Sequence, residues 1–188
     1  MNQPDIQKLT QGVETIIVAA GDDLTRGGLQ GTPERVAKAW AEWLRGYRPH
    51  DFDVKRFQSA YEGLVVRAGI PFQSFCEHHM ARYHGTIDFA YLPKGWVIGL
   101  SKIIRLAQWK ASRLTIQETL TDEISAMFRE TLETDDVAVV VRAFHSCEST
   151  RGVKVGDVPT ITAALKGRFF TDSALRAEFY QLTKGTNL

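Results

Sequence analysis

Two cysteines in 188 residues are too few for a disulfide scaffold. Excess charge is missing as well. Lys and Arg number 23 against 22 Asp and Glu, which excludes a whole-surface polyanion binder and leaves room for a local phosphate site. The longest apolar runs, such as 16–20 and 137–141, fall far short of a bilayer span. Met1-Asn2-Gln3-Pro4-Asp5 shows no basic segment leading into an apolar one. The expectation is therefore a cytoplasmic protein with reduced thiols and neither membrane nor nucleic-acid partners. Internal repeats and low-complexity segments are also missing. What is present is an ordinary globular composition, 44% hydrophobic and 24% charged, at a length that can bury a core without staples.

The order of elements points to an α+β fold. Residues 3–46 read as helical. Ile6, Leu9, Val13, Ile16, Ile17 and Ala20 recur at three- and four-residue steps. After Gly21 a second helix opens with Thr32 as expected cap, Pro33 in the first turn and Glu34 at the positive end of the dipole. Val36, Ala39, Trp40 and Trp43 are its expected buried stripe, and Gly46 its stop. Residues 47–62 read as a loop. Strands are expected at 64–70, 86–92 (Ile87, Phe89 and Tyr91 on one face), 96–100, 137–144 and 160–165. Helices are expected at 101–112, 116–133 and 172–182. The strands mostly do not alternate with helices, so the sheet should be mainly antiparallel.

Both cysteines lie close to histidines. Cys76-Glu77-His78-His79 offers a thiol and an imidazole at C-x2-H spacing, and Cys147 follows His145 by two residues. A free cysteine is usually a small buried hydrophobe, but two Cys–His segments in a reduced protein favour a metal. Cys76, His79 and Cys147 would form a Cys2His zinc site with its fourth position open, the arrangement of a catalytic zinc. Zinc lowers the pKa of bound water towards ~7. His78 and His145 are then left beside the ligands, either to carry protons or to orient the ligands. The H-x-E with P-C-x-x-C pattern of zinc deaminases is absent, and so is the H-E-x-x-H of zincin proteases.

A phosphate-binding side is suggested by Ser101-Lys102-Ile103-Ile104-Arg105 at a helix start. Ser101 is the expected cap, and free N–H groups there favour an anion. Lys102 and Arg105 are three apart and share a face. Cations at a helix N-terminus carry a local cost that an anion would offset. Arg151 adds a cation four residues after Cys147, and Arg35 lies in the first turn of the second helix. No Walker loop occurs. Thr115 to Glu118 matches a capping box, and Glu118 could equally accept two N–H bonds from a guanine.

Taken together these segments resemble the GTP cyclohydrolase I family. The resemblance rests on Thr32-Pro33-Glu34-Arg35-Val36-Ala37-Lys38, Ser74-Phe75-Cys76-Glu77-His78-His79, Gly99-Leu100-Ser101-Lys102 with Arg105, Gln117-Glu118 with Leu120-Thr121, His145-Ser146-Cys147 with Arg151-Gly152, and Arg176-Ala177-Glu178-Phe179. It runs in order from about residue 30 to 182. It implies a tunnelling fold over 51–188: a four-stranded antiparallel sheet with two inserted helices, preceded by a helical extension over 1–50. It also implies a ring-shaped homo-oligomer, commonly a decamer, with active sites between subunits. The implied reaction converts GTP and water to formate and 7,8-dihydroneopterin triphosphate, which feeds folate, biopterin or 7-deazaguanine synthesis.

On this resemblance Cys76, His79 and Cys147 hold one Zn2+ per subunit, whose bound water attacks C8 of the guanine. His145 protonates the ring nitrogen and His78 assists ring opening. Glu118 anchors the guanine and Gln117 faces the sugar. Ser101, Lys102, Arg105 and Arg151 grip the triphosphate, with Arg35 reaching in from a neighbouring subunit. A nitrile reductase of related fold would use a cysteine nucleophile and NADPH, and the Cys–His–Cys set argues against it. The sequence departs from the family pattern at Phe75, at Met80-Ala81-Arg82-Tyr83, at Glu148 and across Gly156-Asp157-Val158-Pro159. None of these removes an expected ligand or proton carrier.

Overall fold

The structure is a computed structural model and describes residues 4–156 and 158–185. The chain divides into two compact units, Met1–His50 and Asp51–Leu188.

In the first unit, α1 (Ile6–Ala19) is capped by Asp5, whose carboxylate accepts the Lys8 N–H at 2.9 Å. It packs on α2 (Thr32–Trp43). Leu9, Val13 and Ile17 are half-buried, whereas Ile6, Ile16 and Ala20 of the expected apolar face are exposed. The N-cap of α2 is Gly31, not Thr32. Thr32 is already helical, and its hydroxyl accepts from Arg35 at 2.7 Å. The buried residues of α2 are Pro33 and Ala37, while Val36, Ala39 and Trp40 are half-buried and Trp43 is exposed. The helix stops at Trp43, and a 3-10 turn over Arg45–Tyr47 carries the chain past Gly46.

The second unit is built on four antiparallel strands in the order β2 (Val65–Phe75), β3 (Arg82–Tyr91), β5 (Val137–His145) and β6 (Thr160–Leu165). Between β3 and β5 the chain forms β4 (Trp96–Ile98), α3 (Leu100–Ala111) and α4 (Gln117–Leu132). The expected strand at 64–70 continues to Phe75, because an edge strand tolerates Pro71. The expected loop 47–62 contains β1 (Arg56–Gln58), which pairs with β4 in a separate two-stranded sheet. All three β1 residues are exposed, so no apolar alternation marked it.

One sheet face carries Ile87, Phe89 and Tyr91 of β3 beside Val137, Val139 and Val141 of β5. These pack with Ile103 and Leu106 of α3 and with Leu120, Ile124 and Phe128 of α4. Full burial of one such side chain contributes about 1.5–3 kcal/mol. The Phe89 and Phe128 rings stack at 4.0 Å between centroids. The opposite face buries Ala90, Ala138 and Val140 under Phe169 of α6 (Arg168–Thr171) and Leu175 and Phe179 of α7 (Ser173–Leu182). Asp172 caps α7 through the N–H groups of Ala174 and Leu175. Further along this face Asp88 is fully buried, pairs with Arg142 and accepts the Gly69 N–H at 2.8 Å.

The β3–β5 pairing is tight at its site end. A Cβ on Gly85 would lie 1.9 Å from the Arg142 carbonyl oxygen, so only glycine fits there. Two pairs further along, Tyr83 lies opposite His145.

Candidate metal centre and its surroundings

The end of β2 delivers Cys76 into a closed turn. The Cys76 N–H donates to the Ala81 carbonyl and the Met80 N–H donates to the Cys76 carbonyl, both at 2.8 Å. Met80 sits in the left-handed region at φ 52° and is exposed. This turn leaves the Cys76 sulfur buried, 3.7 Å from His78 Nδ1 and 4.0 Å from His79 Nδ1. Cys147 lies on α5 (Ser146–Ser149), one short helical turn directly after β5. Ligand atoms of Cys76, His79 and Cys147 all lie within 4.8 Å of one another. Donor atoms around a tetrahedral zinc stand about 3.5 Å apart, given Zn–S and Zn–N bonds of about 2.3 and 2.0 Å. Small side-chain movements close that gap, and two thiols with one imidazole form a donor set suited to zinc. Burial and the neighbouring Cys76 push the Cys147 thiol up, so metal binding must displace a proton.

Phe75, one of the departures, is a buried core residue. Its N–H donates to the Arg113 carbonyl at 3.2 Å, and its own carbonyl accepts the Thr115 N–H at 2.9 Å. The α3–α4 connection is thereby tied to the metal turn. Thr115 does not take its expected capping role. The N-cap of α4 is Ile116, and the Thr115 hydroxyl donates to the Ile116 carbonyl.

His145, at the end of β5, has its ring held on two sides. The Tyr83 ring stacks on it at 4.6 Å with an interplanar angle of 6°. His145 Nε2 lies 2.8 Å from Gln117 Oε1. Burial lowers the His145 pKa, and the charges of Glu148 and Glu118 oppose that shift. Burial raises the Tyr83 pKa, so its phenol stays neutral.

Gln117 is 1% exposed, and the two N–H groups of its amide are shared among the Val141 and Thr160 carbonyls and the Thr162 hydroxyl, all at 3.0–3.1 Å from the nitrogen. Glu118, next to it in the first turn of α4, is exposed. Across the turn, Arg151 is exposed and donates to His79 Nε2 at 3.0 Å. Cys76, His78, His79, Cys147 and Arg151 thus form one group, and the His145–Gln117 pair adjoins it through the chain, His145 lying two residues before Cys147.

The expected phosphate cations form a second group. The N-cap of α3 is Gly99 rather than Ser101, because the helix starts at Leu100. Ser101 is exposed and makes no capping bond. Lys102 and Arg105 both approach the Phe52 ring, at 5.4 and 6.0 Å from its centroid. Among the described residues neither forms an ion pair. A surface cavity of about 400 Å³ beside them is lined by Asp53, Lys55, Phe57, Gly99, Ser101 and Lys102. Arg35 belongs to the first unit, where its guanidinium donates to the Gln30 carbonyl and the Thr32 hydroxyl. Of the 156–159 segment, Asp157 lies outside the described residues.

Sequence reasoning missed Tyr83, Phe52 and Thr162. No motif marks them; their partners are 62, 50 and 45 positions away, at His145, Lys102 and Gln117.

The model of the family "GTP cyclohydrolase I" matches residues 9–184. A GTP cyclohydrolase 1 of Halalkalibacterium halodurans is 41% identical, over 98% of this chain and 100% of its own. That of Aquifex aeolicus is 40% identical, over 96% and 98%. That of Hydrogenobaculum sp. is 37% identical, over 96% and 98%. The solved apo structure of an archaeosine synthase QueF-Like covers 57% of this chain at 14% identity and a TM-score of 0.40, too slight a likeness to bear on the fold. A match over nearly the whole length, with the Cys–His–Cys group assembled in space, means that the chain belongs to the GTP cyclohydrolase I family.

Proposed function

We propose that this chain is a zinc-dependent GTP cyclohydrolase I, which takes GTP and water to formate and 7,8-dihydroneopterin triphosphate. The observation that carries the reading is the convergence of Cys76, His79 and Cys147 in a chain of this family, with His78 3.7 Å from the Cys76 sulfur and His145 two residues before Cys147. A zinc ion held by those three residues supplies Lewis-acid activation of water at neutral pH.

The remaining work falls to side chains. Glu118, exposed at the start of α4, accepts N–H bonds from the guanine edge. His145 delivers a proton to the imidazole nitrogen of the purine as the C8–N bond breaks. The exposed His78 carries a proton in the later opening step, which releases C8 as formate. Lys102 and Arg105, with Ser101 and the N–H groups of the α3 terminus, take the triphosphate. Arg151 adds charge from the metal side, and Arg35 comes from a neighbouring subunit.

The four-stranded sheet with α3 and α4 inserted between its middle strands supports a tunnelling fold. Such units close into a homo-oligomeric ring, a decamer in this reading, with β2 and β6 as the edges to be paired. The site of action is the cytoplasm.

The experiment is to incubate metal-quantified protein with GTP and measure formate together with the fluorescence of oxidised neopterin. Both products, lost on chelation and restored by zinc, are expected. Neither product from a folded, zinc-loaded protein would overturn the proposal.

A further inference from the structure

The amide of Gln117 has only one orientation open to it. Its nitrogen faces the carbonyl oxygens of Val141 and Thr160, at 3.1 and 3.0 Å. Those carbonyls can only accept, so the group facing them must donate. Turning the amide over would set its oxygen against two acceptors in a site that is 1% exposed.

The hydroxyls nearby run in the same direction. Thr121 Oγ1 donates to the Gln117 main-chain carbonyl at 2.8 Å. With that proton committed, the Thr162 hydroxyl must donate across the 2.6 Å contact to Thr121. Thr162 is thereby left to accept from the Gln117 nitrogen at 3.1 Å. Gln117 Oε1 is consequently fixed towards His145 Nε2, at 2.8 Å, and as an acceptor it requires a proton on that nitrogen.

We infer that Gln117 is a positioning residue that holds His145 as its Nε2–H tautomer, so that the ring exchanges protons with substrate through Nδ1. The parallel Tyr83 ring at 4.6 Å keeps the imidazole plane from turning out of this register. This replaces the expected contact of Gln117 with the sugar: its polar atoms already have partners inside the protein. The inference rests on the proposed function for what His145 does, but the tautomer itself is set by β5, β6 and α4.

The test uses zinc-loaded, assembled protein with 15N-labelled histidine, without substrate and in mildly alkaline buffer. Solid-state NMR should place the His145 Nε2 resonance in the protonated, pyrrole-type range and Nδ1 in the unprotonated range, with assignment from a His145→Ala sample. The reverse pattern overturns the inference. In parallel, Gln117→Leu should lower kcat for GTP by about 10–100-fold and leave KM within about twofold. A raised KM with kcat intact would restore the sugar contact and overturn the clamp.

Should Gln117→Leu not fold, Thr162→Val removes one of three acceptors and should lower kcat about 2–5-fold at unchanged KM; a rise in KM instead counts against the clamp. Because the nitrogen shifts are read without GTP, a wild-type protein that makes no formate defeats the proposed function while the shifts still decide the tautomer.

Discussion

The two halves of the candidate site are built differently. On the sheet side, His145 is gripped between a stacked ring and a buried amide whose partners lie on β5, β6 and α4. On the turn side, Glu77, His78, His79 and Met80 are all exposed, and the geometry of the turn is kept by two backbone bonds. The sheet half thus holds its working geometry before any metal or substrate arrives. The turn half presents its side chains to solvent. Under the proposed function, the preformed half is the one that would move protons, and the exposed half is the one a metal and GTP would enter.

The largest expected effect removes the joint between the halves. Cys147→Ala should abolish zinc retention and lower formate release by at least about 10³-fold. Its circular dichroism should match the parent, because Cys147 is only half-buried where it packs against the core and alanine removes a single sulfur there. Loss of fold instead would mean that the metal organises both halves.

An intermediate effect is expected at the phosphate cations. Phe52→Leu removes two cation–π contacts, each worth about 0.5–1 kcal/mol at an exposed site, so KM for GTP should rise about 5–30-fold with kcat little changed. Steady-state kinetics at fixed ionic strength separates this from a fall in kcat, which would place Phe52 in the reacting half.

The smallest effect should appear in native-state hydrogen exchange. Without zinc, amides of 77–80 should exchange at least about 100-fold faster than those of 85–91 in β3, and zinc should narrow the gap. Equal protection without metal would erase the distinction between the halves.

The metal half was legible in the sequence because its information lies in residue types. A thiol and an imidazole three apart, with a second Cys–His segment elsewhere, carry their chemistry wherever the chain puts them. In the sheet half, His145 and Gln117 were picked out by the family resemblance, but their contacts were not legible. Gln117 meets Val141 and Thr160 only after β5 and β6 have paired, and those partners are main-chain carbonyls, which no sequence pattern marks. Helix starts failed for a related reason. Thr115 and Ser101 have the chemistry of caps, but α4 takes Ile116 as its N-cap, one residue after Thr115, and α3 begins one residue before Ser101. The long apolar strands were found, whereas β1 is exposed along its whole length and gave no signal.

The pairing of Phe75 with the 113–115 segment has a mechanical consequence. Two backbone hydrogen bonds suture the base of the metal turn to the leader of α4, the helix that presents Gln117 and Glu118. Load applied to that helix passes into the Cys76 end of β2 through peptide groups, without a flexible side chain in between. In the proposed function, where Glu118 takes the guanine and Cys76 a metal ion, this backbone seam joins the two binding groups. Side-chain substitutions along this seam leave the suture intact. A proline at Thr115, which has no N–H to offer Phe75, cuts one of its two stitches.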